Sequence, residues 1–129
     1  MYAFSARSSL TYSEAIEAVK KALQEQGFGV LTEIDVSATM KKKLDVDRRP
    51  YIILGACNPS LANQALDAEP DIGLLLPCNV VVREEEDGAT TVAFMDPVAV
   101  LGLVSDPAIG ELAGQVRTRL ESVRDAIAV

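Results

Sequence analysis

A chain of 129 residues, 49% hydrophobic and 24% charged, is sized for one globular domain spanning residues 1–129 with a real core. Its net charge of −7 argues against nucleic acid and anionic membrane as partners, because both select a basic footprint. Histidine is absent, which removes the commonest general base, the Cys-His and Ser-His nucleophile pairs and imidazole metal ligation.

Tyr2, Phe4 and Ala6 alternate with Ala3, Ser5 and Arg7, predicting a first strand with one buried face. This start lacks the basic-then-apolar order of a signal peptide, and no apolar run is long enough to cross a bilayer. The expected location is the cytoplasm. Thr11-Tyr12-Ser13-Glu14 has capping-box form. Ala15, Ile16, Val19, Ala22 and Leu23 continue as one helical face up to Gly27, a helix stop. Gly29 to Glu33 reads as a second strand. Asp35 then caps a short helix carrying Val36, Met40 and Leu44, with Lys41, Lys42 and Lys43 in its last turn, where cations suit the dipole.

After a polar loop from Asp45 to Pro50, Tyr51 to Cys57 lacks alternation and reads as a strand buried on both faces. Asn58 caps, and Pro59 opens, a helix reaching about Ala68; Pro70 to Leu75 forms a short helical segment. Pro77 to Glu85 and Ala89 to Met95 form a hairpin around a two-residue Asp87-Gly88 turn. That register sets Val82 opposite Ala93 and Asn79 opposite Asp96. Asp96-Pro97 and Asp106-Pro107 each open a helix. The last helix carries the stripe Ile109, Leu112, Val116, Leu120, Val123 and Ile127. The order β-α-β-α-β-α-β-β-α predicts an α+β domain with a mixed or mostly antiparallel sheet covered by helices.

Chemistry concentrates at two Cys-Asn dipeptides, Cys57-Asn58 and Cys78-Asn79, each closing an apolar run. Twenty residues separate these two cysteines, so no Cys-x-x-Cys redox motif is present, and a cytosolic setting predicts reduced thiols. Each is read as a small buried hydrophobe, a reactive thiol or a soft-metal ligand. Metal is the weakest of these, because a structural zinc site takes four ligands and Asp96, a neighbouring acid or a second subunit would have to complete the set. No metal and no cofactor are therefore expected. Asn58 is explained as a helix cap, whereas Asn79 interrupts a strand and is either an edge residue or part of a polar floor. Lys41, Lys42, Lys43, Arg48 and Arg49 make the one basic cluster, read as a solvated helix end or an anion patch. Glu84 to Asp87 reads as a charged hairpin tip that discourages edge aggregation, and Tyr51 as core or interface.

The strings Gly27-Phe28-Gly29-Val30, Arg49-Pro50-Tyr51, Leu54-Gly55-Ala56-Cys57-Asn58-Pro59, Glu69-Pro70-Asp71-Ile72-Gly73-Leu74-Leu75-Leu76-Pro77-Cys78-Asn79 and Met95-Asp96-Pro97 resemble the bacterial and archaeal domain of unknown function numbered 302. The resemblance covers nearly the whole chain. It implies a compact α+β homodimer similar to TATA-binding-protein-like folds, and it assigns no activity to any residue.

Two functions follow. One is a homodimeric binding or interaction module, with the last-helix stripe offering surplus apolar surface and a small anionic or polar ligand as a further partner. The other is a thiol-dependent enzyme or sulfur carrier using Cys57 or Cys78. Should the strand from Tyr51 pair antiparallel with the strand through Asn79, then Cys57, Asn58, Cys78, Asn79 and Asp96 gather at one end of the sheet. The start of the Pro59 helix would there lower a thiol pKa.

Overall fold

A computed structural model describes residues 1–128. Five strands form one sheet in the order β1-β5-β4-β3-β2, and every neighbouring pair is antiparallel. They are β1 (Ala3–Ser8), β2 (Gly29–Asp35), β3 (Tyr51–Cys57), β4 (Cys78–Glu84) and β5 (Thr90–Met95). The helices are α1 (Tyr12–Glu25), α2 (Val36–Leu44), α3 (Pro59–Ala68), α4 (Pro97–Leu101) and α5 (Pro107–Ile127), with a 3-10 turn at Pro70–Leu75. The expected α+β class and element order hold, and of the two sheet types expected the antiparallel one is found.

Local chemistry fixes the helix starts. Thr11 Oγ1 accepts from the Glu14 amide at 3.2 Å, and Glu14 Oε1 accepts from the Thr11 amide at 3.0 Å, completing the capping box. Asp35, Asn58, Asp96 and Asp106 each accept from a backbone amide in the first turn of α2, α3, α4 and α5.

The core lies between one sheet face and the helices. Leu54, Val80, Val82, Val92 and Phe94 point down from the strands onto Val19 and Leu23 of α1 and Ile109, Leu120 and Val123 of α5, all fully buried. Phe4 stacks on Phe94, its direct partner across β1 and β5, with ring centroids 5.2 Å apart, and Arg124 lies 5.4 Å above the Phe4 ring.

Four expectations need correction. Tyr2 is 74% exposed, and the inward face of β1 runs through Phe4, Ala6 and Ser8. The strand from Tyr51 to Cys57, expected to be buried on both faces, is fully buried only at Leu54, Gly55 and Ala56. The apolar stripe of α5, expected as surplus surface, is spent inside the protomer's own core.

The fourth correction concerns the hairpin. Its loop has three residues, Glu86, Asp87 and Gly88, closed by Glu85 N–H donating to Ala89 O at 2.7 Å and Gly88 N–H donating to Glu85 O at 3.0 Å. Gly88 has φ +85, the left-handed position such a loop requires. Val82 therefore faces Val92 and Val80 faces Phe94, and continuing that register by one step brings Asn79 level with Met95 instead of Asp96. Packing explains the one-residue shift: it stacks Val80, Val82, Val92 and Phe94 on the core side, where the alternative would set Val82 against Ala93.

Candidate functional site

Strands β3 and β4 pair antiparallel, with Ala56 opposite Cys78 and Gly55 opposite Asn79. Cys57, Asn58, Cys78 and Asn79 thus share one end of the sheet, and Asp96 follows β5 at that same end. The five residues share an end without sharing a face. Strand alternation sets Cys78 on the core side with Val80, while Asn79 belongs to the opposite side and is exposed.

Cys57, Asn58 and Cys78 border an apolar void of about 30 Å³, walled also by Phe28, Leu61 and Val116. That is room for about one water among groups that offer it little hydrogen bonding. Burial pushes the Cys57 thiol up from its ordinary pKa. Burial, with the nearby Cys57 adding to it, pushes Cys78 up to about 12. In place of the lowering expected from the start of α3, burial raises both thiols, so both sulfurs stay protonated at neutral pH.

The polar neighbours are occupied by structure. Asn58 Oδ1 accepts from the Leu61 amide at 3.2 Å, and its Nδ2 lies where a side chain on Gly27 would come within 3.1 Å. Asp96 is buried, with Oδ1 accepting from the Val98 amide at 2.9 Å and Oδ2 lying 3.2 Å from Arg117 Nη1. Its own N–H donates to Tyr2 O at 2.7 Å. In the basic cluster, Lys41 is held by Asp45 at 2.9 Å and Asp47 at 3.2 Å, which weakens the anion-patch reading. No group of three or more metal-ligating side chains comes together among the described residues.

A second feature lies on the sheet face turned away from the core. Cross-strand register arranges it in rows. Tyr51, Arg83, Thr91 and Arg7 form the row nearest the hairpin tip; Ile53, Val81, Ala93 and Ser5 form the next. Gly55, Asn79, Met95 and Ala3 form the row nearest the cysteines. From these rows Tyr51, Arg83, Val81, Ala93, Ser5 and Asn79, with Tyr2 beside them, line a shallow concavity of about 440 Å³, within the size range of ligand sites. Arg83 Nε pairs with Glu85 at 2.9 Å and Arg7 pairs with Asp87 at 2.8 Å, so both guanidiniums are neutralised within the chain. Asn79 was legible from sequence as a polar residue in a strand. Arg83, Val81 and Ala93 were not, because the face they occupy depends on the hairpin register. No helix in the described residues is long and apolar enough to cross a membrane.

Comparison with known proteins agrees with the fold and adds no chemistry. Residues 4–127 match the family model described as "Domain of unknown function DUF302". An uncharacterized protein of Aquifex aeolicus is 30% identical over 100 residues, covering 70% of this chain and 63% of that protein. The chain thus spans about two thirds of this relative's length. The crystal structure of an uncharacterized conserved DUF302 protein from Bacillus stearothermophilus superimposes with a TM-score of 0.91 at 32% identity, over 98% of both chains.

Proposed function

The chain belongs to the DUF302 family, and from that premise we propose that it is a cytoplasmic homodimeric binding module that acts by association and not by catalytic turnover. The extent of its surface carries this reading. A folded monomer of 13.8 kDa is expected to expose roughly 6,600 Å², yet this chain exposes 7342 Å². The surplus of roughly 700 Å² approaches the roughly 800 Å² that each partner covers in a standard interface. A net charge of −7 argues against nucleic acid or anionic lipid as the partner.

The thiol-enzyme alternative is disfavoured by the raised pKa of both cysteines, since the thiolate is the nucleophile. Sedimentation equilibrium at micromolar concentration is the direct test. Twice the chain mass of 13.8 kDa is expected, and a monomer alone would overturn the proposal. Timed alkylation of the native protein tests the alternative. Both thiols should react more slowly than free cysteine, and rapid modification of either would revive an enzymatic role.

A further inference from the structure

The concavity on the outer sheet face owes its shape to side-chain size. Along its middle row the side chains shrink from Ile53 and Val81 to Ala93 and Ser5, so the floor sinks toward β1. Aromatic rings stand around the hollow. The chain has three tyrosines, and two of them, Tyr2 and Tyr51, line it. They occupy opposite ends: Tyr51 faces Arg83 across β3 and β4, while Tyr2 precedes Ala3, which pairs with Met95 at the end where Asn79 lies. A flat ring with a polar tip suits the wall of a site for a flat ligand.

The polar groups of the hollow follow the period of one strand. Asn79, Val81 and Arg83 are alternate residues of β4 and share a face, with roughly 13 Å between the outer two Cα atoms. Because β4 is the middle strand of five, Asn79 is not an edge residue, and its exposed amide takes a place that strands rarely give to asparagine. That amide offers a donor and an acceptor side by side, the complement of a ring edge carrying a carbonyl next to an N–H. Arg83 Nε and Nη2 donate to Glu85 at 2.9 and 3.5 Å, which leaves the Nη1 donors for a carbonyl oxygen. Among the described residues nothing acidic lines the concavity, so a cation would find no counter-charge. An anion would compete with Glu85 for Arg83 and approach a chain of net charge −7. An uncharged ligand meets neither penalty.

We propose that the concavity binds an uncharged heterocycle of two or three fused rings, with polar groups at both ends. Its flat face lies on Val81 and Ala93, a carbonyl and neighbouring N–H pair with the Asn79 amide, and an acceptor at the far end meets Arg83. This inference rests on the binding-module reading above and gives that module a ligand; it does not depend on the dimer.

Lumazine and lumichrome, fluorescent heterocycles of two and three rings, are the probes, titrated in mildly acidic buffer where both are uncharged. At least one should bind saturably, one per chain, with a dissociation constant on the order of micromolar. Asn79→Ala and the isosteric Asn79→Asp, both at an exposed side chain, should each weaken binding by about tenfold, the scale of one or two hydrogen bonds. Ala93→Leu, which fills the floor, should weaken it at least as much, and Leu74→Ala should leave it unchanged. Naphthoate, equally flat but anionic and without an N–H edge, should bind at least tenfold more weakly than the better probe. Failure of both probes to saturate, naphthoate binding as tightly as they do, or Asn79 and Ala93 variants that bind like the parent would overturn the proposal. Sedimentation of the same samples keeps the two readings apart: a dimer that binds neither probe loses this site alone, and a monomer that binds one keeps the site and loses the dimer.

Discussion

Asp96 and Arg117 tie the end of β5 to the middle of α5, with Arg117 Nη1 3.2 Å from Asp96 Oδ2. The same aspartate caps α4 through the Val98 amide, so one side chain fixes two helices against the strand. Its two roles separate by substitution. Asp96→Asn keeps a competent cap and loses only an ion pair whose arginine is partly exposed, at a cost of about 1 kcal/mol or less. Asp96→Ala loses both and leaves Arg117 without this partner, at a cost of about 1–3 kcal/mol. Urea denaturation of the two variants measures the difference, and equal midpoints would show that the cap contributes nothing.

Gly88 tests the hairpin loop. A Cβ there meets nothing within 4 Å, so any cost comes from its φ of +85 and not from crowding. Gly88→Val is expected to lower stability by about 1 kcal/mol or more, and Gly88→Asn by clearly less, because asparagine tolerates the left-handed region. If both variants melt like the parent, the loop conformation is wrong.

That loop also marks where the sequence stopped being legible. Helix starts were readable because Thr11-Glu14, Asn58-Pro59 and Asp106-Pro107 state their hydrogen bonding locally. Asp87-Gly88 does not, since it serves a two-residue turn and a three-residue loop equally well. The choice was made at a distance, by Val80 and Val82 packing with Val92 and Phe94 over α1 and α5. One residue of register moved Asn79 from Asp96 to Met95. The sequence therefore located the end of the sheet where the cysteines sit, but not which face each side chain took. The stripe on α5 was misassigned for the same kind of reason. Periodicity reveals an apolar face without saying whether the partner is the chain's own sheet or another copy.

Gly55 reports on close packing at the β2–β3 pair. A Cβ added there would collide with Thr32 Oγ1 and approach Pro77 Cγ to 2.9 Å. Gly55→Ala is expected to cost about 1–3 kcal/mol, the usual scale for overpacking. Thr32→Ala removes the nearer obstacle, so the double variant should recover part of the loss while Pro77 still crowds the site. Thermal denaturation of the single and double variants reads the coupling. Strict additivity would show that Thr32 is not the obstacle.

The Cys78 thiol makes stability depend on alkaline pH in a definite direction. Its folded pKa is about 12 against an ordinary value of 9.0, because burial opposes the thiolate. Below pH 9 both folded and unfolded thiols are protonated, and the favourable burial is fully present. Between pH 9 and 12 the unfolded thiol ionises while the folded one does not, drawing the chain toward the unfolded state by about 1.4 kcal/mol per pH unit. Cys78→Ala removes this term and leaves the tyrosine and lysine titrations common to both proteins. Measured by urea unfolding from pH 8 to 11, the parent should lose stability more steeply than Cys78→Ala above pH 9, by up to one proton's worth of slope. Parallel curves would mean that the sulfur ionises as readily in the folded chain as outside it, and the void beside it would then have to be open to water.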